Sequence, residues 1–365
     1  MITKMEQAIK KKTEANPVRV SGLYHGFFPF VPRRAYFEKE ALEYAAGVRI
    51  FKILKEFGTD IKYVGSHNRV TGIPGKTPRE AYFEGKRTMV VGVRKTLDFQ
   101  TCKPSAHFQL PLVTGCPGKC EYCYLNTTLG KKPYVRVYVN LDEIFGQAKK
   151  YIDDRVPEVT VFEGAATSDP LPVEPYTGSL ARAITFFSKQ EKARFRFVTK
   201  FTNVDSLLKL DHRGNTRFRF SINSRSVIDR FEVGTPRLTQ RLEAAAKVAA
   251  AGYPLGFIIA PVVTYAGWHD EYSEMFARLG QDFEFGQGLT LEIITHRFTS
   301  KAKRNILEIF PETVLPMEES ERKFKYGQFG YGKYVYNPAG MEEIKSFFLD
   351  LHQRYISGAK IEYFI

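Results

Sequence analysis

Six runs rich in apolar and β-branched residues recur along the middle of this chain, beginning near Gln109 (QLPLVTG), Glu158 (EVTVFEGA), Ala193 (ARFRFVTK), Thr216 (TRFRFSIN), Pro254 (PLGFIIAPV) and Gly288 (GLTLEIIT). Helix-compatible sequence separates most of them, so the pattern is strand alternating with helix. Such alternation builds a parallel sheet. Six units fall short of a closed eightfold barrel and predict an open α/β architecture, a partial (β/α)6 barrel. Ligands of such sheets collect at the C-terminal ends of the strands. The residues expected there are Glu163, Ser168, Asp169, Lys200, Ser221, Asn223, Pro261 and His296. For each of them taken alone, a strand-end hydrogen bond is the ordinary role. One intervening helix is strongly punctuated: Thr235 suits the cap, Pro236 the first helical position, and Gly252 the left-handed residue after the last turn.

The rest of the 365 residues divides around that core. Residues 1–26 carry Lys4, Lys10, Lys11 and Lys12 with few large apolar side chains, and read as a solvated arm or a cloning remnant. Residues 27–105 read as a small accessory region, with a helical segment from Glu40 to Phe57, a loop from Gly65 to Pro78 and a strand from Thr88 to Val93. The barrel is expected over 106–296, and a C-terminal extension over 297–365. No apolar run approaches the roughly 18 residues of a membrane span, and the N-terminus lacks the apolar segment of a signal peptide. A soluble, cytoplasmic protein with no membrane partner is expected. Lys and Arg number 54 against 40 Asp and Glu, a formal charge of +14, which places nucleic acid first among partners.

Only four cysteines occur, and Cys116, Cys120 and Cys123 fall within TGCPGKCEYCYL, spaced C-x3-C-x2-C just after the first run. Crowding of this kind argues against a disulfide framework and for a metal or redox site. Soft thiolates select iron-sulfur clusters or zinc. Zinc would want a fourth ligand, and the local candidates, His107 and Cys102, both lie upstream across a predicted strand. Three thiolates on a cubane cluster leave one iron open for a chelating ligand.

At these residues the chain resembles the radical S-adenosylmethionine superfamily, whose CxxxCxxC loop follows the first strand of a partial (β/α)6 barrel and binds a 4Fe-4S cluster. CKPSAHFQLPLVTGCPGKCEYCYLNTTLGKKPYVRVYVN, FEGAATSD, FRFVTKF, TRFRFSIN, AGYPLGFIIAP, HRFT, YGKYVY and KIEYF, in this order, are similar to the spore photoproduct lyase family from Phe30 to the C-terminus. The resemblance implies repair of 5-thyminyl-5,6-dihydrothymine, an ultraviolet lesion of spore DNA. A 4Fe-4S cluster on Cys116, Cys120 and Cys123 would reduce S-adenosylmethionine, and the resulting 5′-deoxyadenosyl radical would take hydrogen from the lesion. The crosslink then fragments and a hydrogen atom returns to the thymine radical. Tyr124, Ser168, Asp169, Lys200 and Ser221 are the implied cofactor contacts. Tyr122 and Tyr124 are the implied hydrogen relay, although either ring could simply shield the cluster. A reductant of the flavodoxin or ferredoxin type, lesion-bearing duplex DNA and a monomeric state complete the implied setting.

The chain departs from the familiar bacillary pattern at Ala166, where those members carry the cysteine that quenches the product radical. Alanine has no transferable hydrogen. Either Ala166 is an engineered block or another donor operates, and Cys102, the one remaining thiol, is the first alternative to a cysteine without a role. Beyond His296, Arg297, Lys325 and Lys333 interleave with aromatic residues, and KYGQFGYGKYVY reads as a β-hairpin for gripping DNA. Gln328 and Phe329 stand where familiar members carry arginine and tyrosine; Tyr331 lies beside them. Two further readings stay open: a radical S-adenosylmethionine enzyme acting on RNA or a small molecule, and a non-enzymatic, zinc-dependent DNA-binding protein.

Overall fold

The computed structural model describes residues 29–283, 288–326 and 332–365. Two sheets dominate. The smaller, in the order β2-β1-β3-β8-β6, takes β1 (Arg34–Glu38), β2 (Asp60–Val64) and β3 (Thr88–Gly92) from the N-terminal region. The larger contains β4 (Thr101–Cys102) and β5 (Ala106–Gln109). Between them in sequence come β6 (Val113–Thr114), β7 (Lys119–Cys120) and β8 (Val135–Tyr138). The larger sheet continues through β9 (Thr160–Glu163), β10 (Ala193–Thr199) and β11 (Thr216–Ile222). After the short β12 (Glu232–Val233) it adds β13 (Leu255–Val262) and β14 (Thr290–Thr295). A hairpin of β15 (Arg322–Tyr326) and β16 (Gly332–Tyr336) comes next, then the closing β17 (Lys360–Phe364).

The order β17-β14-β13-β11-β10-β9-β5-β4 runs almost in chain sequence, parallel throughout except for the edge pair β4–β5. Five of the six expected strands stand where the sequence puts them, as the open partial barrel predicts; the first barrel strand is β5, which ends at Gln109 where the expected run begins. Sheet membership crosses the expected segment boundaries: β6 and β8 join the N-terminal sheet, and the last residues return as a seventh parallel strand. A helix at Leu238–Ala250 follows β12, with Arg237 rather than Thr235 as its cap residue. The Thr235 hydroxyl is engaged elsewhere, donating to the Glu232 carbonyl and accepting from Arg241. Gly252, at φ +81°, is left-handed as expected.

The period-2 alternation of a strand sorts the barrel's two faces. In β10 and β11, Phe195, Phe197, Phe218 and Phe220 point one way and are buried, with Phe187 of the helix Ser179–Ser188 stacked on Phe195 at 5.2 Å. Arg196 and Arg219 point the other way, into the barrel. There Arg219 pairs with Glu163 and with Glu292 (2.9 Å), and Arg196 pairs with Glu292 and with Glu362 (2.8 Å). Buried charge is tolerated here because each ion meets opposite charge at hydrogen-bond distance.

Candidate active site

The sequence leaving β5 passes through β6 and Gly115, whose φ of +84° turns the chain into the cysteine loop. Gly115 also bridges to Ser168 beyond the end of β9, and its amide donates to the Thr167 carbonyl (2.8 Å). The loop is thereby held against the C-terminal ends of the barrel strands. Its other side is tied by β7, which pairs with β12 so that Cys120 lies opposite Glu232.

All four cysteines are free thiols. Burial pushes the thiols of Cys116 and Cys120 upward, Cys120 to about 12. Among the described residues, no three His, Cys, Asp or Glu side chains stand at the spacing of a metal coordination sphere. The surroundings nevertheless fit a thiolate cluster. The buried Tyr82 hydroxyl feels the charge of Cys123, Cys120 and Cys116 and, although Asn126 is its neighbour, has no partner at hydrogen-bond geometry. Such an orphaned donor is costly in a protein interior and suits a site meant to face sulfur ligands. Among the described residues no histidine joins the set, and His107 Nδ1 accepts from the Val161 amide at 2.9 Å.

Beside the cysteines, Lys200 at the end of β10 donates to the Tyr122 hydroxyl (2.8 Å) and to Glu232 Oε1 (2.7 Å). Tyr122 donates to the same carboxylate oxygen, and Arg241 caps the other one at 2.5 Å. Burial alone would raise the Glu232 carboxyl, but Arg241 and Lys200 hold it at about 2. Burial, followed by the Glu232 charge, keeps the Tyr122 phenol protonated. Neither Glu232 nor Arg241 stood out in the sequence. Asp169 accepts from the Thr199 hydroxyl (2.9 Å) and from the amides of Lys200 (2.9 Å) and Leu171 (3.2 Å). Burial pushes its carboxyl up to about 6 despite those donors. Ser168 and Ser221 are both buried at this end of the sheet, and the Ser221 carbonyl accepts from Arg241.

A second group forms around Ala166. The Tyr124 hydroxyl donates to the Ala166 carbonyl, and the phenol feels Cys123, Cys102 and Glu163. Cys102, on the edge strand β4, is thus linked electrostatically to the tyrosine that bonds the Ala166 carbonyl. Burial, with Glu163 next, pushes its thiol up to about 11, so it remains S–H. Ala166 also lines a cavity of about 190 Å³ with Thr167, Thr114, Arg94, Arg136 and Tyr138.

Away from these groups, the hairpin places Lys325 directly opposite Lys333, and Arg297 lies near enough to disfavour the Lys333 charge further. Like charges in register destabilise a strand pair, so the arrangement suits a polyanion. Phe324 and Tyr326 are exposed on the same strand. Gln328, Phe329 and Tyr331 lie outside the described residues, as does the N-terminal arm.

The family model described as spore photoproduct lyase matches residues 30–365. The spore photoproduct lyase of Clostridium acetobutylicum is 51% identical over 333 residues, covering 91% of this chain and 98% of that protein. Its counterpart from Bacillus subtilis is 46% identical over 340 residues, 92% of this chain and 99% of the relative. Among solved structures, a spore photoproduct lyase with one cysteine-to-alanine and one serine-to-cysteine substitution, bound to AdoMet and dinucleoside spore photoproduct, matches with a TM-score of 0.90. It is 50% identical, covering 92% of this chain and all of that one. The open barrel, the cysteine loop at its strand ends and identity at this level over nearly the whole length lead to one assignment: the chain belongs to the spore photoproduct lyase family.

Proposed function

We propose that this chain repairs spore photoproduct in duplex DNA by radical S-adenosylmethionine chemistry, with Cys102 in place of the missing cysteine as hydrogen-atom donor. The observation that carries the donor assignment is that Tyr124, bonded to the Ala166 carbonyl, also feels Cys102, the one thiol outside the cysteine loop. Cys116, Cys120 and Cys123 would hold a 4Fe-4S cluster, and Lys200, Ser168, Asp169 and Ser221 line the place for the cofactor. When bound, cluster and S-adenosylmethionine supply a 5′-deoxyadenosyl radical that removes one hydrogen atom from the lesion.

The chain's own residues govern the return of hydrogen. Ala166 offers only C–H bonds and leaves room at the cavity wall. The Cys102 thiol, protonated and half-buried, passes its hydrogen atom to the thymine radical and becomes a thiyl. Tyr124, whose phenol is protonated and adjacent, restores the thiol by giving up its own hydrogen atom. Tyr122, its O–H fixed by Glu232 and Lys200, stands one step further along and would restore Tyr124, the radical left on it being quenched by a hydrogen atom from the methyl group of 5′-deoxyadenosine. Arg297, Lys325 and Lys333 bind phosphates, and the exposed Phe324 and Tyr326 offer faces for stacking. A low-potential flavodoxin or ferredoxin supplies the electron, and the working unit is a cytoplasmic monomer. Among the described residues no helix is long and apolar enough to cross a membrane.

The test is anaerobic incubation of reconstituted protein with dithionite, S-adenosylmethionine and dinucleoside spore photoproduct. Thymine release that depends on both additions is expected. Cleavage of S-adenosylmethionine with no thymine formed would move the chain to another substrate, and one bound zinc in place of iron and sulfide would remove the radical chemistry altogether.

A further inference from the structure

Lys86 is the C-terminal residue of the helix Pro78–Lys86 and only 2% exposed, yet among the described residues no carboxylate lies within ion-pair distance of it. Its ammonium donates to the Cys116 carbonyl at 2.9 Å and lies 5.4 Å from the centre of the Tyr82 ring, one helical turn before it. Its charge reaches the Cys116 thiol. The position is rigidly held: a Cβ on the preceding Gly85 would lie 2.7 Å from the Lys132 backbone, so the helix is pressed against the chain leaving the cysteine loop. A buried ammonium with one carbonyl and one ring face as its neighbours is under-compensated by the polypeptide. Cys116, whose thiol feels the Lys86 charge, is a group able to carry negative charge there once deprotonated by a metal.

We propose that Lys86 is the positioning residue that sets the reduction potential of the cluster, its charge balancing the negative charge added when the cluster takes up an electron. The proposal rests on the reading of Cys116, Cys120 and Cys123 as cluster ligands. Net charge around the sulfurs and burial are the levers by which a protein tunes such a potential. One electron added to a three-thiolate cluster makes it more negative by one unit, and a fixed cation nearby favours that state through a poorly screened interior. The fold thereby gives the N-terminal region a role at the barrel's site: the helix it contributes carries both the charge and, on Tyr82, the aromatic face that holds it.

The test measures the midpoint potential of the reconstituted cluster by EPR-monitored titration in the parent protein and in Lys86→Met, Lys86→Gln and Lys86→Arg. Iron and sulfide content are measured on each, so failure of the parent to hold iron and sulfide would dispose of the cluster reading separately. Met and Gln are expected to make reduction at least tenfold less favourable, a fall of about 59 mV for one electron, while Arg stays near the parent. Gln keeps a donor for the Cys116 carbonyl, so a drop in Met alone would assign Lys86 to the hydrogen bond and overturn the proposal. An unchanged potential in both loaded neutral variants would overturn it too. Should neither neutral variant retain a cluster, a loaded Lys86→Arg with the parent potential supports the charge, and an equally empty Lys86→Arg refutes it.

Discussion

The barrel interior and the cysteine loop both bury charge, and they treat it in opposite ways. Inside the barrel, Arg196 and Arg219 meet Glu163, Glu292 and Glu362, and Tyr363 adds a further donor to Glu292. Every ion there has an opposite charge in contact. Around the loop, among the described residues, Lys86 has only a carbonyl and a ring face, the Tyr82 hydroxyl has no partner at bonding geometry, and the Cys120 thiol lies buried and free. The first arrangement is complete within the polypeptide and serves architecture. The second is complete only with something the polypeptide does not supply, which is how a site differs from a core.

This contrast predicts that changes in the loop abolish function with little effect on folding, whereas changes in the barrel interior do the reverse. The largest effect is expected for Cys120→Ala. Iron content and thymine formation should both vanish while the urea midpoint of the apoprotein moves little; a collapsed midpoint would mean the loop is structural. Next comes Arg219→Met, which takes from Glu163 its close ion pair and leaves Glu292 with Arg196 alone. A loss of about 3–5 kcal/mol of stability is expected from denaturant unfolding. Stability within about 1 kcal/mol of the parent, on the same scale, would show that the interior ions are not closed.

The third prediction concerns pH. Burial, reinforced by Arg322, holds His296 at about 3, below the roughly 6.5 of an unfolded chain. The unfolded state therefore binds the proton first as pH falls, so stability is full above about 6.5 and is lost progressively toward 3. Unfolding at pH 7.5 and pH 5 should differ by about 1–2 kcal/mol from this group, and His296→Gln should flatten that slope. An unaltered slope would free His296 from its place beneath the hairpin, where Arg322 donates to its carbonyl at 2.9 Å. The smallest effect is expected at the opposed Lys325 and Lys333. Replacing either with alanine should weaken duplex binding, lower the salt slope by about one unit and leave the dinucleoside reaction unchanged. An equal loss on the dinucleoside would place these lysines at the reacting atoms.

The same contrast explains what could be read from the sequence. Five barrel strands, β9, β10, β11, β13 and β14, were legible because each is a largely buried run rich in apolar residues, whereas β5 is mostly half-buried and lies just before the run that was read. The hairpin was legible from its glycines. Of the N-terminal sheet only β3 was legible, as the run from Thr88; β2 reads DIKYV, with Asp60 and Lys62 on one face, and pairs along a mostly exposed edge. Thr235 looked like a cap because hydroxyls generally cap helices; here its hydroxyl is taken by the Glu232 carbonyl three residues before and by Arg241 six residues on, whose guanidinium is itself held by Glu232. The cysteine loop declared itself through spacing alone. Glu232 and Lys86 did not, because what marks them is a partner gained or lacking across 32 residues to Lys200 and 30 residues to Cys116. Cys102 could be named as the last thiol, but its electrostatic link to Tyr124 needed the fold.

The replacement of the missing donor is the claim most open to direct attack, and a thiol hydrogen exchanges with solvent whereas an alanine hydrogen does not. The reaction should be run in D2O with reductant, S-adenosylmethionine and dinucleoside spore photoproduct, for the parent and for Cys102→Ala, with products identified by mass spectrometry. If Cys102 is the donor, the parent yields thymine carrying one solvent deuterium, and Cys102→Ala yields adducts of the unquenched radical that Ala166→Cys in the same chain restores to clean thymine. Clean thymine with undiminished deuterium from Cys102→Ala would contradict the assignment.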